Sequence, residues 1–104
     1  MELDIEFLRK LCKERQIVFS LHGLKRIHER GIMREDVISA ILNGEIIEQY
    51  PADYPYPSCL ILGSSDKNEK LHIVCGCNGE TVKIITAYYP SSDHFEDDAR
   101  TRRR

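Results

Sequence analysis

Tryptophan is absent, and there are only four prolines and six glycines. Collagen-like and low-complexity chains need far more of the last two, so both classes are excluded. No apolar run approaches the length of a membrane-spanning helix. Cysteine is scarce too. The four, at positions 12, 59, 75 and 77, lack the spacing of a disulfide scaffold. Cys75-Gly76-Cys77 is not the C-x₂-C of a structural zinc site, so free buried thiols are expected and no metal. No phosphate loop or dinucleotide fingerprint occurs, so no cofactor is expected. Nor is there an excess of charge: 15 Lys and Arg against 17 Asp and Glu leave a net −2. A polyanion-binding role must therefore rest on local basic patches. The first residues, MELDIEFLRK, are acidic and lack the basic-then-apolar layout of a secretory signal. A cytoplasmic protein is the expectation.

What is present suits one modest core. Hydrophobic content of 41% with 31% charged residues fits a globular chain of 104 residues. One domain over 1–104 is expected, with an N-terminal helix and connector over 1–18 and a charged tail over 91–104. Leu3, Phe7, Leu8 and Leu11 recur at helical spacing within Glu2–Arg15. Gln16–Phe19 reads as a connector or an edge strand. Ser20 is suited to cap a helix over Leu21–Arg30, with Leu24 and Ile27 inward, His28 beside them as a structural residue, and Gly31 as the stop. Arg34–Asn43 forms a third helix, with Val37, Ile38, Ile41 and Leu42 inward and Gly44 at its end. Strands follow at Glu45–Tyr50 and Ser58–Ser64.

Leu71–Pro90 reads as a hairpin about Asn78-Gly79, a pair suited to a two-residue type I′ turn. The predicted fold is therefore α+β: two or three N-terminal helices on one face of a four-stranded antiparallel meander. The other face is left open, or partly closed by the tail through Phe95.

Candidate chemistry lies in two places. His22, Arg26 and Arg30 repeat one turn apart on the second helix. Such a stripe is most often a solvated surface, but arginine's forked donors also match phosphate oxygens. On the hairpin, His72 lies on one strand, and Thr86 and Tyr88 lie on the other. A strict two-residue turn opposes His72 to Ile85 and puts it on the far face from Thr86 and Tyr88. One bulge reverses that parity and gathers all three. The expected place for it is near Gly76.

Histidine moves protons at neutral pH, and tyrosine can donate one or stack on a base. RNA cleavage needs a base on the 2′-OH, an acid on the leaving oxygen, and cations on the phosphate. His22, His72 and Tyr88 are the catalytic candidates. Arg26, Arg30, Thr86 and the tail's Arg102 are the phosphate- or RNA-binding candidates.

Several motifs also occur in a fixed order. They are H-x₃-R-x₃-R-G-I from His22, E-D-V-I-x-A-I-x-N-G-E-I-I-E-x-Y-P ending at Pro51, Y-P-S-C-L-I-L-G, L-H-I-V around His72, and I-I-T-A-Y-x-P ending at Pro90. This order resembles a small bacterial domain family of unknown function related to RelE-like toxins, in the barnase–colicin–RelE ribonuclease fold group. The likeness covers Phe19–Arg104. It implies the toxin of a bacterial toxin–antitoxin pair, a metal-independent endoribonuclease that cleaves RNA by 2′-OH attack, with free or ribosome-bound RNA both open as the partner. It also implies a small antitoxin partner of zinc-finger or helix-turn-helix type. Met33 stands where relatives tend to carry a capping Ser or Thr. The alternative expectation is a non-catalytic protein- or RNA-binding module of the same fold. Exposed edge strands would also allow a homodimer.

Overall fold

The computed structural model describes residues 2–90 and 98–102. The element order is α1 (Ile5–Lys13), β1 (Ile17–Phe19), α2 (Leu21–Glu29), α3 (Arg34–Asn43), β2 (Glu45–Tyr50), β3 (Ser58–Ser64), β4 (Lys70–Cys77) and β5 (Val82–Tyr88). The α+β class holds, but the sheet is larger than the four-stranded meander expected. β2 to β5 do pair antiparallel in sequence order. β1 then adds alongside β5 in parallel, giving a five-stranded mixed sheet in the order β1-β5-β4-β3-β2. Three residues of the Gln16–Phe19 connector make this edge. Val18 opposite Lys83 has too little alternation around it to show a strand by period alone.

Helix boundaries follow local chemistry. α1 starts later than the expected Glu2, because the Asp4 side chain accepts from the Glu6 amide and caps the helix there. Ser20 caps α2 by accepting from the Gly23 amide. Gly31 leaves α2 with φ +77, a conformation glycine adopts without strain. α3 begins at Met33, which has no side-chain oxygen. Only the reverse half of a capping box forms: Asp36 accepts from the Met33 amide at 2.9 Å.

One face of the sheet is covered by all three helices. Leu8, Ile27, Val37 and Ile41 from the helices meet Ile61, Leu71, Ile73 and Ile84 from the strands, all at or below 1% exposure. Contact between α3 and β3 is closest at Gly63, where a Cβ would lie 2.0 Å from the Ala40 carbonyl oxygen. Leu42, expected inside, is exposed at the end of α3. Cys12, Cys59, Cys75 and Cys77 are free thiols in this core. Burial pushes the Cys12 thiol up to about 11. Among the described residues no helix is long and apolar enough to cross a membrane.

The β4–β5 hairpin departs from the expected tight turn. Cys77 pairs with Val82, so Asn78–Thr81 form the loop. The Asn78 side chain accepts from the Glu80 and Thr81 amides and closes it as an Asx turn. The expected bulge exists, but not at Gly76. Cys75 pairs with Ile84 while Val74 pairs with Thr86, which leaves Ile85 as the extra residue on β5. α2 lies close against this point. A Cβ on Gly23 would stand 3.4 Å from the Ile85 carbonyl oxygen.

Candidate functional site

The bulge decides what the second sheet face carries. Beyond it, His72 pairs with Tyr88 and Val74 with Thr86. Strand alternation then puts His72, Thr86 and Tyr88 on the same face, away from the helices. The His72 and Tyr88 rings meet edge to face, with centroids 5.4 Å apart. A second bulge does similar work on β2. Glu45 opposes Leu62 and Glu48 opposes Leu60, with the register shifting between Ile46 and Glu48. Both carboxylates therefore reach the His72 face, as does Tyr50.

Arg30, the residue that caps α2, ties that helix to this face. Its Nη1 donates to Thr86 Oγ1 and to the Ala87 carbonyl oxygen, each at 2.9 Å. A helix end carrying positive charge thus sits beside the His72–Tyr88 pair.

The face is not open. Asp98–Arg102 runs across it, and Ala99 is buried there at 4% exposure. His72 Nε2 lies 2.6 Å from the Ala99 carbonyl oxygen. A carbonyl can only accept, so Nε2 carries the proton and donates. Arg102 grips Glu48 with a two-pronged contact, Nε to Oε2 at 2.9 Å and Nη2 to Oε1 at 2.8 Å. Arg100 forms an ion pair with Glu45. Asp98 holds the turn by accepting from the Arg100 and Thr101 amides and the Thr101 hydroxyl. Phe95, expected to close this face, lies outside the described residues.

The electrostatics follow from burial and these contacts. His72 is wholly buried, and loss of solvent lowers its pKa, with the Ala99 contact opposing that shift. Burial raises the pKa of Tyr88. Burial first, and then the hydrogen bond to Glu48, push the Tyr50 phenol up to about 12. The Arg102 contact holds Glu48 below the usual carboxylate range. At neutral pH the face therefore presents a neutral imidazole at His72, protonated phenols at Tyr50 and Tyr88, and the Glu48 carboxylate clasped by Arg102.

Arg30, His72, Thr86, Tyr88 and Arg102 thus share one region. His22 and Arg26 do not join them through contacts: among the described residues neither has a hydrogen bond or ion pair with that group. His22 lines a shallow depression on the outer side of α2 with Leu21, Leu24, Lys25, His28 and Glu29. His28, expected to be structural, is exposed there. The reason is helical phase: Gly23 and Ile27 face the sheet, and His22 and His28 fall to either side. The sequence reading missed Glu45, Glu48 and Tyr50. Their signal was weak, since E-I-I-E-Q-Y does not alternate until the bulge at Ile47 is known.

No curated protein and no solved structure matches the chain. Residues 19–89, well over half of its length, match the family described as a domain of unknown function, DUF4258. That span holds every one of the site residues above except those of the crossing segment. The chain belongs to this family, DUF4258, whose function is unknown.

Proposed function

We propose that this protein is a small endoribonuclease of RelE-like type, the toxin of a toxin–antitoxin pair, working at the His72 face. One observation carries the reading. Arg30 bonds Thr86 beside the edge-to-face His72–Tyr88 pair, so a phosphate ligand, an imidazole and a phenol stand within one patch. Burial supports the assignment of roles. Once Nε2 is released from Ala99, the ring proton can move to Nδ1, and the neutral imidazole then takes the 2′-OH proton on Nε2. The 2′-oxygen then bonds to phosphorus and the P–O5′ bond breaks. Tyr88, whose proton is held firmly, protonates the leaving 5′-oxygen. Arg30 and Arg102 neutralise the charge that builds on the phosphate oxygens. The products are a 2′,3′-cyclic phosphate and a 5′-hydroxyl. Arg26 and His22 extend the basic path along α2 for neighbouring nucleotides.

Complete burial of His72 favours a second reading, a binding module of this fold with no catalysis. Expression in a bacterial host, with RNA sequenced for new 5′-hydroxyl ends, separates the two. Wild type should arrest growth and create new ends. Arg30→Ala and His72→Gln should do neither; the glutamine keeps a donor toward Ala99 but cannot accept a proton at neutral pH. Unchanged RNA in every strain would leave only the binding module.

A further inference from the structure

We infer that Asp98–Arg102 is a self-bound strap that occupies the RNA site and is released by the phosphates of an incoming single strand. The inference rests on the RNA-binding reading and adds its control. Among the described residues, three of the contacts that hold the strap have a counterpart in a bound nucleic acid. The Ala99 carbonyl oxygen accepts a hydrogen bond from His72 Nε2 at 2.6 Å, so it occupies the place beside Nε2 that an oxygen of a bound strand would take. Arg102 and Arg100 are bound to Glu48 and Glu45, carboxylates that a phosphodiester can replace as arginine partners.

The clasps suit an exchange of this kind. The Arg100–Glu45 pair is more than half exposed on both sides, at 57% and 52%, and the two-pronged Arg102–Glu48 clasp is exposed on its arginine side, at 53% against 22%. Exposed ion pairs are weak and are screened by salt. The geometry also makes the strap inhibitory. While Nε2 donates to Ala99 it cannot accept a proton, and no ligand reaches a ring that is fully buried. A polyanion that takes up Arg100 and Arg102 binds the open form and not the closed one, which is the differential affinity that shifts such an equilibrium. It also carries those two cations to the phosphates that the face must hold.

The test reads the strap rather than cleavage. The full chain is treated with diethyl pyrocarbonate, and modification of His72 is followed by peptide mass spectrometry against the exposed His22 and His28. The probe is a single-stranded oligodeoxythymidylate, which has no 2′-OH and cannot be cut by the proposed route. Free protein should modify slowly at His72. Oligonucleotide should speed that modification about tenfold, the scale of ion pairs at a protein surface. Glu45→Gln with Glu48→Gln should give a similar rise with no oligonucleotide, while circular dichroism stays that of the folded chain. Oligonucleotide binding, seen by fluorescence anisotropy, that leaves His72 protected overturns the strap and spares the RNA reading. No binding by either protein overturns both.

Discussion

His72 concentrates the physics of the site in one side chain. It is an imidazole in a fully buried position, kept neutral by the loss of solvent, and committed by the Ala99 carbonyl to carrying its proton on Nε2. A lowered pKa has a definite consequence for stability. The unfolded chain binds the proton near 6.5, whereas the folded chain resists it to lower pH. Folding is therefore fully favoured above about 6.5, and stability declines as pH falls from there toward the folded value. Glu48 adds a second decline only below its own ordinary value of 4.5. Urea unfolding from about pH 7.5 to about 5.5, one unit either side of the ordinary histidine value, should show the first decline in wild type and a much smaller one in His72→Gln. Equal pH dependence in the two proteins would mean that His72 is not held neutral by burial.

Element scale brings the bulges and caps into view. Ile85 on β5 and Ile47 on β2 each add one residue to a strand, and together they turn His72, Tyr88, Glu45 and Glu48 toward the same side. Single-residue insertions of this sort re-aim every side chain beyond them. The helices carry a simpler irregularity. α3 starts from Met33, which is 52% exposed and offers no oxygen to the helix amides, while Asp36 already supplies the reverse contact. Met33→Ser should complete the box and stabilise the protein by about 1 kcal/mol. For a domain near this size that is a rise in Tm of roughly 4–8 °C, readable by differential scanning calorimetry. A lower Tm would show that the methionine packs usefully where it stands.

Across the whole molecule, the family match and the folding unit do not coincide. The match begins at residue 19. The core includes Leu8, Leu11 and Cys12 of α1, and Leu3 exchanges two hydrogen bonds with Gln49 on β2. Removing a buried leucine costs about 2–5 kcal/mol. Two such losses approach the whole stability of an ordinary domain, about 5–15 kcal/mol. A fragment of residues 19–104 should therefore lack a cooperative thermal transition and bind a hydrophobic dye. A sharp transition from that fragment would show that α1 is an accessory to the fold. The strap sits at the opposite end of the same logic. It covers the face that the helices leave bare, through the buried Ala99 over His72 and through ion pairs to Glu45 and Glu48.

Much of the architecture is local, and so was readable from the chain itself. Arg34–Asn43 follows from helical periodicity, Glu45–Tyr50 and Ser58–Ser64 are set off by Gly44, Pro51 and Pro57, and Ser20 and Gly31 mark the ends of α2 because capping and positive φ are short-range effects. His72, Thr86, Tyr88 and Arg30 could be singled out by chemical type. That they meet could not be. Their meeting depends on one unpaired residue at Ile85, a point where α2 packs closely at Gly23, and neither the extra residue nor that contact is written in a local pattern. Pairing of β1 with β5 joins segments far apart in sequence, and no short pattern encodes it. The cover over His72 is also a long-range matter. It comes from arginines of the tail finding Glu45 and Glu48, and charges choose such partners only after the sheet has put the carboxylates side by side.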